Sequence, residues 1–198
     1  MSSSTPVADA GDNIKNAFAV VIRTYENLER FFAELDAVAG QAGLTTITPD
    51  FMRWHSDQFV HGWLTTSFIK LFQKSADPAH ARVKGLRKGS VFGVEARFPL
   101  DSLPLFYLAK YEYDSELSEW THLPGRSSYR KFHLPLWKER KFRFSSKQDI
   151  RISTPLGAEI ENRFWGLKRV VFTNTPLVPV NSSDNIRKLI CEPLLELP

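Results

Sequence analysis

Val91 to Phe98 reads VFGVEARF, and the fold class turns on this stretch. Phe92, Val94, Ala96 and Phe98 alternate with Gly93, Glu95 and Arg97. Alternation at period two predicts a strand with one face buried and one face wet. Upstream of it the apolar residues recur with a helical period, so the chain changes its local geometry between Ala76 and Val91.

On the helical side, Ile14, Phe18, Val21, Tyr25, Leu28, Phe32, Leu35 and Ala39 fall at alternating steps of four and three. Those steps form one stripe along a helix, with Arg23, Glu26, Arg30 and Glu34 off it. Asp12 or Asn13 can cap the start, and Gly40 and Gly43 can end it. The heptad spacing also suits a coiled coil, although the run is short for one. Thr48-Pro49-Asp50 reads as a second helix start, followed by a broad apolar face from Phe51 to Gln73 that Gly62 weakens. Phe18, Leu28 and Phe32 are expected in the core.

On the strand side, Leu105 to Tyr113 alternates like Val91 to Phe98, with turn chemistry at Leu100 to Pro104 between them. Pro124-Gly125 suits a type II turn. Tyr129 to Trp137 reads as an edge strand broken at Pro135, and Arg140 to Phe144 as another. Ile150 to Ile152 and Leu167 to Phe172 supply two more. Ser183 or Asp184 caps a last helix that Pro193 ends. The prediction is an α+β fold: two N-terminal amphipathic helices packed on an antiparallel sheet of about five strands, with a short C-terminal helix. In boundaries, residues 1–13 form a mobile tail and 14–198 one domain, helical over 14–75, sheet over 91–180 and a terminal helix over 184–191.

Composition narrows the class. A chain of 198 residues, 42% hydrophobic and 24% charged, can bury a core without staples. Cys191 is its one cysteine, so no intrachain disulfide can form, which fits a reducing compartment. No basic segment followed by an apolar one opens the chain, and no apolar run is long enough to span a bilayer, so a cytoplasmic protein without membrane partners is expected. The net charge of +4 is unevenly spread. Residues 1–79 hold six Lys/Arg against nine Asp/Glu, whereas Arg126 to Arg151 holds nine against two.

That basic stretch, RSSYRKFHLPLWKERKFRFSSKQDIR, interleaves its cations with aromatic rings and is the candidate site. Phosphates would meet Arg126, Arg130, Lys131, Lys138, Arg140, Lys141 and Arg143, while Trp137 or Tyr129 stacks on a base. Strand parity turns Lys131, His133, Trp137, Lys141 and Arg143 outward. The same lysines also suit a solvated edge strand guarded against aggregation.

Other chemistries find less support. Arg82 to Ser90 has two glycines among cations, but its spacing is not that of a phosphate loop. No Gly-x-Ser-x-Gly occurs, and Cys191 sits in an apolar helix without a neighbouring histidine. His55 and His61 lie on different helical faces, so no metal or cofactor is expected. Asp149, Glu159 and Glu161, with Lys168 beyond, would suit a metal-dependent hydrolase or nuclease if they converged. The leading expectation is a non-catalytic binding protein with nucleic acid as partner. Its rivals are a protein-interaction module using the acidic first helix or the dipolar surface, and the metal-dependent hydrolase.

Overall fold

The computed structural model describes residues 5–48, 50–53 and 62–198, with side chains from residue 10 onward. It divides the chain into two compact units, Met1–Leu35 and Asp36–Pro198. The fold is α+β: one long N-terminal helix, a large antiparallel sheet and short C-terminal helices.

Helix α1 runs from Thr5 to Gln41, so it starts well before the predicted caps at Asp12 and Asn13. It stops where Gly43 takes a φ of 81°, a left-handed turn that a side chain resists; Gly40 stays inside the helix. Within the first unit the predicted stripe is buried only toward its end. Leu28 and Phe32 are buried, whereas Phe18 is 67% exposed, against the expectation that all three belong to the core.

In the second unit, strands β1 (Leu44–Thr46) and β2 (Met52–Arg53) both pair with β3 (Ser67–Lys74). The predicted second helix is therefore overturned over these strands, while its middle, including His55, Asp57 and His61, lies outside the described residues. Thr48 does not cap a helix; its hydroxyl accepts from the Leu71 amide at 3.1 Å. The misreading has a physical cause. Every residue of β3 from Ser67 to Gln73 is buried, so both faces carry core side chains and no alternation shows.

Strands β4 (Val91–Arg97) and β5 (Leu105–Glu112) follow β3 as an antiparallel meander. Strands β6 (Phe142–Lys147), β7 (Ile150–Pro155) and β8 (Arg169–Pro176) form a second meander, joined to the first where β8 pairs with β5. The strand order is β1-β3-β4-β5-β8-β7-β6, with β2 also on β3, which exceeds the five strands expected.

One face of the sheet packs on a segment that the sequence reading misassigned. Tyr129 to Trp137 is not an edge strand. It is a 3-10 turn at Arg126–Ser128, helix α2 at Tyr129–His133 and a second 3-10 turn at Leu134–Leu136. Tyr129, Phe132 and Leu136, at steps of three and four, are all buried in the core with Ile69, Leu71, Tyr111 and Phe172. Pro135 sits in the first positions of its turn, where a fixed φ helps and a missing N–H does no harm. Gly125 starts this helical segment with φ −114°, so the predicted type II turn, which needs a positive φ, is absent.

Helix α3 (Ala158–Arg163) links β7 to β8. The chain closes with α4 (Ser183–Ile186), a π-helical stretch at Arg187–Cys191 and α5 (Glu192–Glu196), which packs on β5. Ser182 caps α4 by accepting from the Asn185 amide. Pro193 does not end the helical run as predicted, because it falls in the first turn of α5. On this side of the sheet Lys70, nearly fully buried, donates to Asp36. Cys191 is buried, and burial pushes its thiol up to about 11, which suits a packed side chain rather than a nucleophile. No helix among the described residues is long and apolar enough to cross a membrane.

Candidate functional site

The helical reading of Tyr129 to Leu136 rearranges the basic stretch. A strand would have spread its cations over two faces. The helix and the loop that returns to β6 instead gather some of them around a concavity. A cleft of about 390 Å³ is lined by Tyr129, Arg130, His133, Leu134, Lys138 and Lys141. A neighbouring hollow of about 280 Å³ shares Arg130, Leu134 and Lys141 and adds Lys131 and Arg163. Five cations border the two hollows, and no carboxylate is among their described lining residues.

Of the predicted contacts, Arg130, Lys131, Lys138 and Lys141 come together there. Arg126 does not: it faces Asp50 across 3.8 Å beside a separate hollow. Arg140 and Arg143 are exposed and line neither hollow. Arg143 sits on β6, the strand at one end of the sheet, where an exposed cation blunts the open edge. Lys131 is the most constrained of the four, donating to the Arg163 carbonyl beside the Trp165 ring. Burial, with some help from the Arg163 charge, lowers its pKa.

Trp137 is not turned outward. The Arg97 guanidinium lies over its ring at 3.7 Å, and Tyr107 meets it edge-on at 4.6 Å. Tyr129 is also withdrawn: it is buried, stacks on the His133 ring at 4.9 Å, and burial raises its phenol well above the ordinary value. Neither ring offers the free face that the sequence reading assigned to base stacking.

Beneath the cleft lies a polar cluster that the sequence reading missed. Glu95, in the middle of β4, is 2% exposed. Its Oε1 lies 2.8 Å from His133 Nδ1 and accepts the Ser67 hydroxyl as well. Its Oε2 has no partner among the described protein groups, and neither has Nη1 of Arg97, two residues along the same strand. An ionised carboxylate taken out of water is costly unless it is paired, so the His133 contact is an important one for this site. Tyr129, His133 and Trp137, spaced by four, follow one another along the helical segment, which fixes the imidazole between two rings. The His133 side chain keeps 20% of its surface exposed, on the cleft. The i, i+4 aromatic spacing was the one available signal; nothing in VFGVEARF separates a buried glutamate from a wet one.

The carboxylates considered for a metal do not converge. Glu161 pairs with Lys168, Glu159 lies in the first turn of α3, and Asp149 lies in the β6–β7 turn. Among the described residues no group of three His, Cys, Asp or Glu is placed to hold a metal ion. In the basic loop Arg82 to Ser90, Arg82 donates to the Ser118 carbonyl, Arg87 to the Asp77 carbonyl, and Lys88 pairs with Glu116. Searches against protein families, curated proteins and solved structures found no match to this chain.

Proposed function

We propose that this chain is a nucleic-acid-binding protein that takes the phosphate backbone into the cleft between α2 and the loop Lys138 to Lys141. The observation that carries the reading is the lining: Arg130, Lys138, Lys141, Lys131 and Arg163 border two neighbouring hollows with no carboxylate among their described lining residues. Cations clustered around a concavity attract a polyanion more strongly than the same charges scattered, because the low-dielectric walls focus their field. Phosphate contacts of this kind position a strand and carry no sequence preference by themselves. A cytoplasmic setting accords with this partner.

Anisotropy titrations at low salt, with labelled single- and double-stranded oligonucleotides, test the reading. Binding at micromolar protein, weakened by Lys138→Gln with Lys141→Gln, is expected. No binding at that concentration defeats it.

One observation favours a second reading, the interaction module. Ile14, Phe18, Val20 and Ile22 are exposed on the first half of α1, more apolar surface than a solvated helix usually presents. Sedimentation of the full chain alone tests self-association through this face. A monomer over the micromolar range, unchanged by Phe18→Ser, removes self-association from this reading.

A further inference from the structure

Resting on the reading of the cleft as a phosphate-backbone site, we infer that it cleaves RNA, with His133 as general base for the attack of a 2′-hydroxyl on its own phosphodiester. The buried Glu95 side chain meets the imidazole at Nδ1. A carboxylate can only accept, so the 2.8 Å contact makes Nδ1 the donor. In the neutral ring Nε2 is then the unprotonated nitrogen, and His133 is one of the cleft's lining residues. Tyr129 stacked on one side and Trp137 tilted on the other hold the ring in place. A base oriented from behind by a buried carboxylate, opening onto a cationic concavity, is a pairing that a purely electrostatic binding surface does not need.

The substrate class follows from what else borders the cleft. Hydrolysis by water needs a second group to position and activate that water. RNA carries its nucleophile next to the phosphorus, so one base and a set of cations suffice. His133 Nε2 takes the 2′-hydroxyl proton as the 2′-oxygen bonds to phosphorus. The bond from phosphorus to the 5′-oxygen breaks, and that oxygen takes a proton from water. The hydroxide left behind is neutralised by the proton on His133. The products are a 2′,3′-cyclic phosphate and a 5′-hydroxyl, with no change in oxidation state. Arg130, Lys138 and Lys141 supply positive charge where the pentacovalent phosphorus gathers negative charge. Glu95 touches no substrate and is a positioning residue.

The test uses the full chain with three end-labelled oligonucleotides of one sequence: RNA, DNA, and DNA with a single ribonucleotide. The readouts are anisotropy for binding and denaturing gels for cutting. RNA is expected to be cut, DNA to be bound and left intact, and the chimaera to be cut only after its ribonucleotide. At saturating protein, His133→Gln is expected to slow cutting by about a hundredfold or more. For Glu95→Gln the ¹⁵N shifts of the imidazole report the tautomer: Nδ1–H in the natural chain, mixed in the variant if Glu95 sets it. RNA that is bound but left intact overturns the inference and leaves the binding reading standing. RNA and DNA that are both unbound remove both. Equal cutting by His133→Gln assigns the activity elsewhere and overturns the inference; if that variant does not fold, the DNA and chimaera results decide alone.

Discussion

The salt dependence of binding distinguishes the cleft from the basic stretch as a whole. Five cations border the hollows: Arg130, Lys131, Lys138, Lys141 and Arg163. If each neutralises one phosphate of a single strand, the slope of log K against log salt is about −3.5, since each contact contributes about −0.7. Between about 50 and about 200 mM salt, affinity then falls by about a hundredfold. Replacing Lys138 and Lys141 by Gln leaves three contacts, a slope of about −2 and a fall of only about twentyfold over the same range. Arg140 and Arg143 lie in the same stretch but outside the lining, so Arg140→Gln with Arg143→Gln should leave the slope near its original value. Both variants lose two charges, which makes the net-charge change identical. Anisotropy titrations at five or so salt concentrations measure the slopes. Equal flattening by the two pairs would refute the cleft as the site and return the charge to the surface at large.

Further predictions concern stability. Gly93 lies in β4 where a Cβ would approach Tyr111 Cε2 to 2.9 Å and Leu71 Cδ2 to 3.3 Å, and Tyr111 is pinned by donating to the Phe132 carbonyl at 2.8 Å. Gly93→Ala should therefore cost about 1–3 kcal/mol in urea unfolding, and a neutral result would show that the Tyr111 ring can move aside. On α1, Phe32→Ala should cost about 3–5 kcal/mol and Phe18→Ala very little, because Phe32 is 2% exposed and Phe18 is largely solvated; similar losses in the two would mean that Phe18 is covered in solution. Trp137→Ala should lower the melting temperature, since it uncovers the Arg97 guanidinium, and a change in binding without any change in melting would restore the stacking role. Burial works to raise the Glu112 pKa, but the hydrogen bonds and charge of Arg169, helped by Lys110, bring it below the ordinary value. A folded pKa below the unfolded one means stability that is present above the unfolded value and lost as pH falls through the folded one. Acid titration of unfolding should show that loss, and Arg169→Gln should reduce it; the side chains are partly exposed, so the effect is about 0.2–1 kcal/mol.

Parts of this molecule were legible from local pattern because one face of the element meets water. The first helix and the strand from Leu105 carry that contrast, whereas β4 was legible from its alternating residues alone: the wet face expected of it is absent, since both its faces are buried from Val91 to Ala96. Strand β3 shows no alternation: its polar residues Ser67, Lys70 and Gln73 fall three apart, so the run was indistinguishable from a helical face. The segment Tyr129 to Leu136 could be counted either way. Its alternation with Pro135 suggested a broken strand, while Tyr129, Phe132 and Leu136 at helical spacing pointed to what it forms.

The candidate site divides along the same line. The sequence alone located the charge, because lysine and arginine counts need no fold, and four of the cations it singled out, Arg130, Lys131, Lys138 and Lys141, do border the two hollows. Tertiary structure decided which cations converge, that Arg163 joins them from α3, and that Trp137 is covered by Arg97. It also brought Glu95 within 2.8 Å of His133, thirty-eight residues away in the chain. Burial of a carboxylate depends on what the sheet and helix place over it, and that is a property of contacts between distant segments, which no local period encodes.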